Sequence, residues 1–115
     1  MRLLKSFLYA CKGFAVAVRE EQNLRIHLLA TGIVIALALY YHVSIEEWLI
    51  LLTLIGLVIG FELFNSAIEN LTDLVTKEKI PLAGKVKDIA AAAVLFVSVI
   101  ALVVGITIFA RHINV

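Results

Sequence analysis

Between positions 61 and 73 an otherwise apolar run reads FELFNSAIENLTD, which sets Glu62, Asn65, Ser66, Glu69 and Asp73 among large hydrophobic side chains. Residues three or four apart share a helix face, so Glu62, Asn65, Glu69 and Asp73 form one polar stripe. A charge at the bilayer centre costs about 2.5–3.5 kcal/mol on insertion scales and less near an interface. Lipid therefore cannot face that stripe, and Glu62 must be protonated, paired or turned toward a polar cavity. Two other clusters carry complementary chemistry. Arg19, Glu20, Glu21, Gln22, Asn23 and Arg25 precede one apolar run, and Lys85, Lys87 and Asp88 precede another. Acids from two segments plus a lysine are the parts needed to hold magnesium and a nucleotide polyphosphate, because magnesium shares carboxylate oxygens with phosphate and keeps several waters. Lysine adds a compact positive charge for a transferring phosphoryl group. The cradle is not a P-loop: Gly84-Lys85 lacks a glycine five residues earlier, and Val86 follows where Ser or Thr is required. The plainer alternative makes Asn65 and Ser66 interhelical hydrogen-bonding groups and the acids markers of a helix exit. It accounts less well for Glu62 with Glu69, since such bonding uses amides and hydroxyls and gains little from two carboxylates two turns apart.

The elements that must position these groups are membrane helices. The chain has 115 residues, 63% of them hydrophobic, against about 45–50% for an ordinary soluble domain, and its mean hydropathy is +1.05. A hydrocarbon core of about 30 Å needs about 20 apolar helical residues, and three segments reach or approach that length, at 28–45, 48–68 and 89–110. Glu62 lies about 21 Å along the axis from Trp48, near the far boundary of the second span. Arg2, Lys5, Lys12, Arg19 and Arg25 precede the first span, and Lys77, Lys79, Lys85 and Lys87 separate the second from the third. Only Arg111 belongs to the other side, so nine basic residues against one put the N-terminus and the second loop in the cytoplasm and the C-terminus outside.

Before the first span, Leu3, Leu4, Phe7, Leu8, Cys11, Phe14, Ala15 and Val18 recur at helical spacing, while Lys5, Tyr9 and Lys12 share another face. Lys12 interrupts what a signal peptide would need as an apolar core. The pattern predicts an amphipathic helix over about 3–24, lying on the cytoplasmic membrane surface, either as an anchor alone or as a roof over a site. No linker, repeat or low-complexity run divides the chain, so one domain over 1–115 is expected. A net charge of +1 provides no bulk attraction to nucleic acid, and the single cysteine, Cys11, permits no intrachain disulfide.

These residues match a known pattern. The sequence resembles the small prokaryotic diacylglycerol kinase family of integral membrane lipid kinases, and is similar to its Gram-positive branch, whose members act as undecaprenol kinases. The likeness spans nearly the whole chain. It is most specific in ELFNSAIENLTDLV, similar to the family's E-[IL]-x-N-[ST]-A-I-E-x-x-x-D, and in PLAGKVKDIAAAAVL, similar to A-K-D-x-A-A-G-A-V; EQNLRIH is a looser match. The resemblance implies an all-α integral membrane protein with a surface helix and three transmembrane helices, assembled as a homotrimer with sites shared between subunits. It implies Glu62 as catalytic base and lipid contact, with Asn65 as a neighbouring substrate contact. Glu21 and Glu69 become magnesium positions at the nucleotide, and Lys87 with Asp88 contact or organise its phosphates. Tyr9 and Lys12 align with surface-helix positions near the nucleotide. Val86 in place of alanine and Ala92 in place of glycine depart from the pattern and bear on packing.

The expected activity is transfer of the γ-phosphate of ATP, with Mg2+, to the hydroxyl of undecaprenol, with diacylglycerol as the alternative acceptor. A non-catalytic scaffold or ion pathway is the reading from another class, but an ion path needs polar residues across the whole membrane, and the outer parts of these spans are apolar. Gly56 and Gly60 form a G-x-x-x-G pattern and residues 90–93 a run of alanines, either of which suits close helix approach.

Overall fold

The computed structural model describes residues 1–114, which form four helices: α1 Arg2–Glu20, α2 Gln22–Tyr40, α3 Ile45–Val75 and α4 Pro81–Ile113. Helices α2, α3 and α4 are each long and apolar enough to cross a membrane. In hydrocarbon every backbone polar group must be satisfied within the segment, and a helix does this. Four threonine hydroxyls follow the same rule: Thr31, Thr53, Thr72 and Thr107 each donate to the carbonyl four residues back. Helix α3 packs most extensively against α4 and also contacts α2, whereas α1 folds back across α2 and α3.

The 31 residues of α3 span about 46 Å, well beyond a hydrocarbon core of about 30 Å. From Trp48 to Glu69 is about 32 Å. Helix α3 is thus longer than that core is thick, and Glu62, Glu69 and Asp73 all lie in its C-terminal half.

At the end of the bundle that carries the α2–α3 turn, Ala38, Val43, Leu51, Ile108 and Phe109 form the buried cluster, with Trp48 and Tyr41 packed against it. The turn is tightly specified. Val43 N–H donates to the Ala38 carbonyl at 3.2 Å and His42 N–H to that of Leu39 at 3.4 Å, the two bonds of a Schellman motif, with His42 at φ 51° in the left-handed position. Ser44 then opens α3 with a capping box: its Oγ accepts from Glu47 N–H at 3.1 Å, and Glu47 Oε1 accepts from Ser44 N–H at 2.9 Å. The same carboxylate meets His112 Nε2 at 3.0 Å, which ties the last turn of α4 to the first of α3.

Helix limits differ from the expectations in three places. The surface segment ends at Glu20, not near position 24, because Glu21 leaves the helix at φ −109°, ψ 108° and α2 starts at Gln22. Helix α2 stops at Tyr40, short of position 45, because the Schellman turn closes it. Helices α3 and α4 run past their apolar stretches, α4 beginning at Pro81, where a missing N–H costs nothing in the first turn. A Cβ added at Gly56 or Gly60 would meet nothing within 4 Å, so the G-x-x-x-G face makes no close approach inside one chain.

Candidate active site

The site is built on α3. Glu62, Asn65 and Ser66 are its only buried polar residues among those described, Glu62 being 3% exposed. A helix turn brings Asn65 over Glu69, and its Nδ2 donates to Glu69 Oε1 at 3.4 Å. Asn65 Oδ1 is buried with no hydrogen-bond partner. Leaving such an acceptor unmade costs about 1–3 kcal/mol, and an unsatisfied carbonyl beside carboxylates is a place for a ligand or a hydrated cation. Half-buried Glu69 faces the same region, and the charges of Glu69 and Glu21 both act on Glu62.

Glu21 is held there by the corner between α1 and α2. Its backbone is extended, and Arg25, one turn into α2, reaches back so that Nη1 donates to the carbonyls of Val18 at 2.9 Å and Arg19 at 2.8 Å. A guanidinium on the last carbonyls of α1 satisfies them and favours the negative end of that helix. Arg25 thus fixes the bend at which Glu21 sits. Below the corner, α1 and α3 enclose a cleft of about 330 Å3 lined by Gly13, Ala17, Glu20, Glu21, Ser66 and Asn70 among others.

The opposite side of Glu62 is closed by α2. His27 Nε2 lies 3.7 Å from Glu62 Oε2. His27 also stands at one end of an apolar groove of about 190 Å3 between α2, α3 and α4, walled by Val34, Leu54, Val58 and Leu102 and by Ser98. Ser98 Oγ is buried without a partner.

The structure gathers Glu62, Asn65, Glu69 and Glu21 into one region. Lys87 lies elsewhere: its Nζ pairs with Asp73 Oδ1 at 2.6 Å, about 16 Å further along α3 than Glu62, and Asp88 beside it is exposed. Tyr9 and Lys12 are exposed on α1 and outside the residues lining the cleft. Two residues went unread in the sequence. Arg25 was one of a charged cluster, and its corner role had a signal only in its place one turn after the helix break. His27 was visible as the one titratable residue at the head of the first span, but its pairing with Glu62 depends on how two helices register.

Among the described residues no three His, Cys, Asp or Glu converge as a complete metal cage. Glu21 and Glu69 offer two carboxylates, and Asn65 Oδ1 an unclaimed oxygen. That donor set is all oxygen and incomplete, which suits a hard cation drawing its remaining ligands from phosphate and water. The arrangement as a whole can take a proton at Glu62, from a group approaching within the membrane, and hold an anionic partner through a cation just outside it.

The sequence model for the family described as "Prokaryotic diacylglycerol kinase" matches residues 8–109. The undecaprenol kinase of Bacillus subtilis (strain 168) is 40% identical over 108 residues, covering 94% of this chain and 88% of that protein. The diacylglycerol kinase of Escherichia coli (strain K12) is 29% identical over 111 residues, covering 96% of this chain and 91% of its own. A diacylglycerol kinase of Synechocystis is 36% identical over 104 residues, 90% of this chain and 59% of the relative. On that match over most of its length, this chain, whose three long apolar helices bury the Glu62 carboxylate, belongs to the prokaryotic diacylglycerol kinase family.

Proposed function

We propose that this chain is a membrane lipid kinase that transfers the γ-phosphate of ATP to the hydroxyl of undecaprenol, giving undecaprenyl phosphate and ADP. Glu62 carries the chemical part of that reading: a carboxylate 3% exposed, at the edge of the hydrocarbon, under the charges of Glu69 on the same helix and of Glu21 at the α1–α2 corner. Such a base meets an alcohol that stays in the bilayer. The choice of acceptor is supported by the 40% identity to the Bacillus subtilis undecaprenol kinase.

In this mechanism the lipid hydroxyl lies against Glu62 and Asn65. The O–H proton passes to the Glu62 carboxylate as the oxygen forms its bond to the γ-phosphorus, and the bond to the β,γ-bridging oxygen breaks with departure of ADP. Glu21 and Glu69 would hold Mg2+, which when bound neutralises phosphate charge. Lys87, with Asp88, contacts the phosphates as a point charge, and Tyr9 and Lys12 border the nucleotide from α1. Asn65 keeps Glu69 in place through its amide.

Assembly as a homotrimer with shared sites is part of the proposal. It is supported by Lys87 pairing with Asp73 in its own chain, far from Glu62, and by the open face at Gly56 and Gly60. Helix α1 would lie on the cytoplasmic surface of the cell membrane, with the N-terminus and active site cytoplasmic and the C-terminus outside, as the basic-residue bias supports.

The decisive assay presents undecaprenol and diacylglycerol separately to the purified protein in mixed micelles with Mg-ATP. A kcat/KM at least about tenfold higher for undecaprenol is expected, equivalent to about 1.4 kcal/mol of transition-state discrimination. Equal or better use of diacylglycerol would transfer the assignment to that lipid, as the relatives from Escherichia coli and Synechocystis would favour.

A further inference from the structure

We propose that His27 is a positioning residue for Glu62 that also carries the proton away from it after phosphoryl transfer. The inference rests on the reading of Glu62 as the base. A base that has taken a proton must lose it before the next turnover, and the Glu62 side chain, 4% exposed, is almost wholly enclosed by the protein. His27 is the less enclosed member of the pair, its side chain 23% exposed, and its Nε2 stands 3.7 Å from Glu62 Oε2. Closing that gap by less than about 1 Å makes a hydrogen bond, and catalytic hydrogen bonds are commonly long before substrate binds.

The surroundings leave His27 as the outlet. The charges acting on Glu62 are Glu69 on α3 and Glu21 at the α1–α2 corner; Glu20 lines the neighbouring cleft, and Arg25 is committed to the carbonyls of Val18 and Arg19. From α4 the groove beside His27 receives Ser98, Ala101, Leu102 and Gly105, none of which titrates. Glu62 therefore has two carboxylates acting on it and one imidazole within reach. A neutral imidazole nitrogen accepts a proton and the protonated ring donates one, so the ring can pass a proton on in each cycle.

The step balances. The proton leaves the lipid oxygen for Glu62 as the new oxygen–phosphorus bond forms and ADP departs. It then moves from the Glu62 carboxyl to neutral His27 Nε2, restoring the carboxylate, and the imidazolium gives one proton to water, restoring neutral His27. Once closed, the same contact holds the Glu62 carboxylate toward His27.

The test compares wild type with H27A, H27N and E62Q in micelles with Mg-ATP and undecaprenol, following kcat, lipid KM and the pH profile with and without added imidazole. H27N retains an amide that can orient Glu62 but cannot relay. Expected is a fall in kcat of about ten- to hundredfold in both His27 variants, with lipid KM changed less than about twofold. Imidazole should restore H27A and not H27N, and the acid limb of the kcat profile should change in both. H27N with wild-type kcat and pH profile would overturn the proposal. So would loss of activity in both variants with no imidazole rescue of H27A and an unaltered pH profile in H27N, since packing alone would then explain the loss. E62Q separates the two layers: full activity there removes the base itself, whereas an inactive E62Q beside a fully active H27N removes only the relay.

Discussion

Mixing two inactive variants should recreate activity, because one chain does not bring its own base and lysine together. Lys87 Nζ is 2.6 Å from Asp73 Oδ1, and Asp73 lies about 16 Å along α3 from Glu62. A phosphoryl group in hydrogen-bond contact with Lys87, at about 3 Å, cannot at the same time lie beside Glu62 of that chain without a large movement of α4, which packs along α3. If Lys87 comes from the next subunit of a ring, a site is intact when one subunit retains Glu62 and its neighbour retains Lys87. In an equal, random mixture of E62Q and K87M chains each condition holds for about half the subunits, so about a quarter of the sites are complete. The variants are denatured together, refolded into micelles and assayed with Mg-ATP and undecaprenol, with differently tagged chains used to verify mixing. Activity near a quarter of wild type is expected, with each variant alone close to background. Mixed oligomers that stay at background would refute the shared site.

Glu62→Gln removes the base while keeping the shape, and should lower kcat by about 100- to 10,000-fold with lipid KM little changed, read from initial rates; a wild-type rate would refute the assignment. Arg25→Ala frees the Val18 and Arg19 carbonyls and should cost about 1–3 kcal/mol while raising the KM for Mg-ATP through a displaced Glu21, measured by thermal unfolding in detergent and by magnesium titration. Ser44→Ala breaks the capping box and should lower stability by about 1 kcal/mol with activity unaffected. His42→Gly relieves a side chain at φ 51° and should raise stability by up to about 1 kcal/mol; a lower Tm would show that the histidine makes a compensating contact.

What could be read in advance follows from which forces act locally. Lipid forces three apolar runs into helices, so α2, α3 and α4 were legible from hydropathy, and the stripe from Glu62 to Glu69 followed from helix spacing alone. Helix limits were less so. The polar turn from Gln22 to His27 is helical but carries no hydropathy signal, and the break at Glu21 uses neither glycine nor proline. The end of α2 is equally unmarked, because His42 occupies the left-handed position that glycine usually announces. Ser44 and Glu47 did spell a capping box, S-x-x-E, hidden within a segment noticed only for its want of basic residues. The site divides along the same line. Asn65 over Glu69 is one turn of one helix, whereas His27 against Glu62 and Lys87 against Asp73 depend on how α2 and α4 slide along α3. A residue type and its spacing fix the first kind of contact; only packing fixes the second. The two contacts that packing supplied bear on what the stripe alone leaves open: where a proton taken up at Glu62 would go, and which chain would bring a lysine to it.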